Sequence, residues 1–210
     1  MNAQNESLQE LQHIKTMMER STRFVSLSGL SGIAAGIWAL AGAYIAHGYI
    51  NEYYSDYNSY GYSHEAFDKL KWNLLFLAGG VLLLALLSAF IFTNRRAKSD
   101  KVSLWNAASQ RLAINLLIPL VTGAFFILGM LRYDEWRFVA PLTLIFYGLA
   151  VVNASKYTIS DIRYLGIAEI ILGLVNTQFI GYGLYFWAAG FGVLHIIYGC
   201  IMWFKHERRS

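Results

Sequence analysis

The sequence predicts an all-α membrane protein in which six transmembrane helices form three αα-hairpins, with both termini in the cytoplasm. Three observations predict it. The 210-residue chain is 56% hydrophobic and only 14% charged, whereas soluble domains carry about 25% charged residues. Long apolar runs alternate with short polar breaks. The basic residues gather on alternate breaks, as they do around membrane spans.

Residues 1–23 are polar and carry apolar side chains at Leu8, Leu11, Ile14 and Met18. Spacings of three and four make one face of a short amphipathic helix. Such a cytoplasmic helix lies on the membrane surface or, through residues 4–20, docks a protein partner. The stretch is too long and mixed for a signal peptide, and no cleavage motif follows the first apolar run, which reads as a retained anchor. The six-helix domain then occupies 24–204, and 205–210 form a basic cytoplasmic tail.

The first span covers Phe24 to Ile50, and Gly29, Gly32, Gly36, Ala39 and Ala43 fall on one face. Small residues let helix backbones approach closely in lipid. Residues 51–70, NEYYSDYNSYGYSHEAFDKL, read as a tyrosine-rich external loop suited to an interface. Its His64-Glu65-x-x-Asp68 lacks the second histidine of a zinc-peptidase helix and supplies too few ligands for a metal. The second span, Trp72 to Thr93, is almost wholly apolar and ends at Asn94-Arg95-Arg96. Leu104, Trp105, Ala108 and Leu112 then share a face of an interfacial helix leading into the third span, Ala113 to Leu131. Pro119 should kink that span, and Asn115, Thr122 and Gly129 share its inward face. The fourth span, Phe138 to Asn153, is short, with Pro141 in its first turn. Thr158-Ile-Ser-Asp161 is a capping-box pattern that starts the fifth helix at Thr158. The sixth ends at Phe204.

Charge fixes the orientation. With the N-terminus inside, thirteen Lys and Arg lie on inner segments and four (Lys69, Lys71, Arg132, Arg137) on outer ones. The positive-inside rule favours that arrangement and an even number of spans in the cell membrane. This scatter of basic blocks gives no nucleic-acid footprint. The single Cys200 has no internal partner for a disulfide.

The odd spans share a spacing: GLSGIAAG at 29–36, TGAFFILG at 122–129 and GIAEIILG at 166–173. LIFYGLA at 144–150 and HIIYGCI at 195–201 echo one another, and the second span matches least. Three hairpins in one orientation imply parallel repeats about an axis along the membrane normal. The stretch GIAEIILGLVNTQFIGYGLYFWAAGFGVLHIIYG resembles the glycine-spaced hairpin of the HdeD-like small six-helix membrane proteins. The resemblance covers the last two helices well and the others by layout. The family hairpin usually has Pro in its turn, where this chain has Ile180-Gly181-Tyr182-Gly183. It implies an architecture and a stress role linked to acid resistance, and transfers no catalytic residue.

The polar residues within spans mark where chemistry can sit. Gly166, Glu169, Gly173 and Asn176 share one face of the fifth helix; Gly192, His195 and Gly199 share one face of the sixth. At about 1.5 Å per residue, Glu169 lies roughly 9 Å from Arg163 and His195 roughly 15 Å from Lys205. The depths differ by about one turn, so a Glu169–His195 hydrogen bond is feasible. Either a structural clamp or a proton-responsive pair fits this pattern. No phosphate loop, nucleophile elbow or metal motif appears, so the reading is non-enzymatic, without cofactor. The expected function is a membrane-resident stress or regulatory component acting through helix packing and partner contacts. The rival is a small-molecule or proton-coupled transporter using Glu169, His195 and Asn176.

Overall fold

A computed structural model describes residues 28–100 and 103–207. The amphipathic segment at 1–23, its docking stretch 4–20, and Arg208 and Arg209 of the tail lie outside the described residues. The regular structure is helical throughout: α1 Gly29–Tyr60, α2 His64–Ser99, α3 Ala107–Arg132, α4 Val139–Ala154, α5 Ile162–Asn176 and a final helix, α6. The winding of α6 changes along its length. It opens with a 3-10 turn at Ile180–Tyr182, is α at Gly183–Trp187, π-wound at Ala188–Leu194, α again at His195–Met202 and π-wound at Trp203–Glu207.

Five stretches are long and apolar enough to cross a membrane: Gly29–Tyr60, His64–Ser99, Ala107–Arg132, Trp136–Tyr157 and Ile180–Lys205. At 15 residues, α5 spans about 22 Å, less than the roughly 30 Å of a hydrocarbon core. The short helix is therefore the fifth and not the fourth, which gains 3-10 turns at both ends. The fifth helix starts at Ile162 and not at Thr158. The amides of Ile162, Arg163 and Tyr164 donate to carbonyls three residues back, so a 3-10 turn leads into α5.

The expected 51–70 loop is helical instead. α1 has 32 residues and α2 36, about 48 and 54 Å long, so both outrun a bilayer core. No proline interrupts either one, and the reversal is confined to Gly61-Tyr62-Ser63. Gly61 adopts φ 84°, the left-handed region glycine tolerates best. Ser63 then caps α2 by accepting from the Ala66 amide. His64 and Asp68 face each other one turn apart, 3.5 Å between Nε2 and Oδ2. The expected interfacial helix before the third span is also replaced. α2 continues to Ser99, and Asn106 and Ser109 cap α3 reciprocally. α3 runs on through Pro119.

Two glycine seams decide which helices pack. In one, Gly148 of α4 meets Gly166 of α5, and Gly173 of α5 meets Pro141 and Ile145 of α4. A Cβ built on Gly166 would lie 2.8 Å from the Gly148 carbonyl oxygen, and one on Gly173 2.8 Å from that of Pro141. In the other, Gly29, Gly32 and Gly36 of α1 meet Gly192, Gly199 and their neighbours on α6. There a Cβ on Gly36 would lie 2.6 Å from the Gly192 oxygen, and one on Gly199 2.6 Å from the Gly29 oxygen. The seams are equivalent: an even helix carrying the Tyr-Gly echo packs on an odd helix with glycines seven apart, and the last helix closes on the first.

This pairing departs from three packed hairpins. α1–α2 and α3–α4 are packed pairs, but α5 lies chiefly along α4 and α6 chiefly along α1. The hairpin α5–α6 is a connection more than a contact. Close approach follows small-residue faces in place of chain order. The inward face of α3 is corrected too. Gly123 packs on Phe146, and Asn115 accepts from Asn153 Nδ2 at 2.8 Å through its carbonyl, whereas Thr122 is exposed and a Cβ on Gly129 would meet nothing within 4 Å. The third seam that the repeat implies, between α2 and α3, is open.

Polar contacts tie the two ends of the bundle. At one end, Lys205 Nζ bonds Asp161 Oδ2 at 2.6 Å, and the Glu207 carboxylate accepts from the Gly29 amide and from Ser28 Oγ. That carboxylate sits on the positive end of the α1 dipole. At the other end, Lys71 reaches Asp68 at 2.6 Å and Asp134 at 3.4 Å. In the α3–α4 turn, the Arg137 guanidinium beside Glu135 holds its carboxyl below the usual range.

Candidate functional site

The glycine seams leave a small interior where α4, α5 and α6 converge. Glu169 enters from α5 and is fully buried; His195 enters from α6 and is 6% exposed. Glu169 Oε1 lies 3.4 Å from His195 Nδ1. That is near enough for charge pairing, but it is not a well-formed hydrogen bond, and neither Glu169 oxygen accepts one from the described residues.

Two other groups define the histidine. Nδ1 lies 3.0 Å from the Gly190 carbonyl oxygen, and Nε2 lies 2.7 Å from the Tyr147 hydroxyl. A carbonyl only accepts, so Nδ1 carries the hydrogen. In the neutral ring Tyr147 O–H therefore donates to Nε2. In the protonated ring the direction reverses, and Nε2–H donates to the tyrosine oxygen. Both ring states keep both nitrogens satisfied, and the Glu169 carboxyl is the ionisable acid beside the ring. The ring is also held by aromatic neighbours. Tyr147 and Phe191 lie 5.3 and 5.8 Å from its centroid, and Trp187 lies 5.1 Å from that of Phe191.

The local winding makes room for this. Gly190 lies in the π-wound segment, a conformation that recurs at functional sites. A Cβ on Gly190 would collide with Glu169 Oε2 and lie 2.5 Å from Leu144 Cδ2, so a larger residue here would have to displace the carboxylate.

The structure brings Glu169 and His195 together and separates Asn176 from them. Asn176 is fully buried at the end of α5, seven residues from Glu169 and so about 10 Å along the axis. Its Nδ2 donates to the Phe179 carbonyl at 3.1 Å, bracing the α5–α6 turn. Sequence reasoning missed Tyr147 and Gly190. A signal for Tyr147 existed, since a tyrosine amid an apolar span needs a partner for its hydroxyl. Gly190 gave none, because the π winding is not written in residue spacing.

In comparisons with known proteins, no family model, no curated protein and no solved structure matches this chain. The functional reading therefore rests on the site itself.

Proposed function

We propose that the chain is a six-span protein of the cell membrane, both termini cytoplasmic, serving as a non-enzymatic stress or regulatory component. In this reading acid acts on the Tyr147–His195–Glu169 cluster and changes how α4, α5 and α6 pack, and partner contacts relay the change. The single observation that carries it is the buried Glu169 carboxyl, without a donor among the described residues, 3.4 Å from a ring nitrogen. An uncompensated buried charge is expensive. A proton gained by His195 sets a positive charge against Glu169, so the cluster's energy depends on pH through α4, α5 and α6 at once. The thirteen-to-four distribution of basic residues supports the orientation. The HdeD-like resemblance of the last two helices supports the acid-stress role.

The test is capture of partners from native membranes at about pH 5 and about pH 8, with the wild type and Glu169→Gln. The reading expects a partner set that changes with pH in the wild type and not in the variant. A proton-driven flux in sealed vesicles, abolished by Glu169→Gln, would replace it with the transporter reading.

A further inference from the structure

A second feature lies apart from this cluster, at the end of the bundle where α1 begins and α2 and α6 finish. A cavity of about 310 Å³ opens there. Leu30 and Phe92 form its apolar part and Trp203 stands in its wall. Its charges are mixed: Arg95, Arg96, Asp100 and Glu207. Arg96 is shared between the two carboxylates, with Nε 3.5 Å from Asp100 and Nη1 3.5 Å from Glu207. Glu207 is further held by Gly29 and Ser28. Arg95 is exposed and makes no ion pair among the described residues. Among the described residues Asp100 is held only through that long contact and by its place at the end of α2.

This lining favours a particular ligand chemistry. A simple anion would find one free guanidinium but face two carboxylates. A simple cation would face two guanidiniums. A zwitterion carrying a phosphodiester and a primary ammonium satisfies both: the phosphate on Arg95, the ammonium on Asp100 and the Trp203 face. The apolar residues beside the charged rim suit the start of an acyl chain. Resting on the membrane reading above, we propose that this cavity seats the headgroup of an aminophospholipid of the ethanolamine type.

The test uses the full chain reconstituted in nanodiscs of defined lipid, with retained lipid counted by native mass spectrometry. Flotation of the same preparation with vesicles under alkaline carbonate checks membrane integration separately, so failure there strikes the membrane reading and not the pocket. Phosphatidylethanolamine should be retained about tenfold over phosphatidylcholine and phosphatidylglycerol. Arg95→Ala should reduce that retention about tenfold, and Arg95→Lys should restore most of it. Asp100→Asn should abolish the preference over phosphatidylcholine while phosphate binding persists. Stronger retention of phosphatidylglycerol, equal retention of all three lipids, or indifference to Arg95→Ala would overturn the proposal. Soluble glycerophosphoethanolamine competing as well as the lipid would overturn the lipid assignment.

Discussion

Gly166→Ala adds one methyl group within the α4–α5 seam. Its Cβ would lie 2.8 Å from the Gly148 oxygen and 2.9 Å from the Val152 nitrogen. Both are backbone atoms and cannot swing aside. Ordinary contact begins near 3.4 Å, so the helices must part by about 0.6 Å over that seam. Overpacking of this kind costs about 1–3 kcal/mol. Alanine also gains about 0.8–1.0 kcal/mol of helix propensity over glycine, which blurs a single measurement. Gly129→Ala supplies the control, because it gains the same propensity at a position where a Cβ meets nothing within 4 Å. The difference between the two variants isolates packing, and we expect it to be about 1–3 kcal/mol. Reversible unfolding in mixed micelles measures it. Equal stabilities would refute the glycine-seam account of the fold.

Other expectations follow from single contacts. Gly190→Ala should expel the Glu169 carboxyl and cost about 1–3 kcal/mol, with partial rescue by Glu169→Ala in the same chain; absence of rescue would separate the two residues. Tyr147→Phe should cost about 0.6 kcal/mol and no more than about 1.7, the range for polar contacts within membranes. Glu207→Ala should cost about 0.5–2 kcal/mol by uncapping α1, and amide exchange near Ser31 should rise with it. A single cysteine at Ser99 in a Cys200→Ser background should react from the cytoplasmic side and one at Ser59 from outside; labelling of Ser59 from within would reverse the orientation.

The spans were legible because lipid demands long apolar runs, and α4 starts within a residue or two of its expected position. Their ends were less so. Nothing between Ile50 and Gly61 breaks a helix, so α1 carries its tyrosines onward as a helix, while polarity alone suggested a loop. The pairing of helices was hidden for another reason. Spacing shows that Gly166 and Gly173 share a face, but not which neighbour will meet it, and chain order suggested α6 where the structure has α4. Thr122 and Gly129 carry the same spacing and are left unpacked, because α3 meets Phe146 of α4 through Gly123. At the site, Glu169 and His195 stood out as ionisable residues in apolar runs. Asn176 looked similar, yet it satisfies a turn instead of the cluster.

The central claim is that Glu169 and His195 are coupled and that protonation changes the coupling. A double-mutant cycle of Glu169→Gln and His195→Ala, unfolded in bicelles at about pH 5 and about pH 8, measures this directly. The account expects a double variant less damaged than the sum of the singles, with a coupling of about 0.6–1.7 kcal/mol that is larger at the lower pH. Strict additivity at both pH values would contradict the pair, and an equal coupling at both would contradict the acid response.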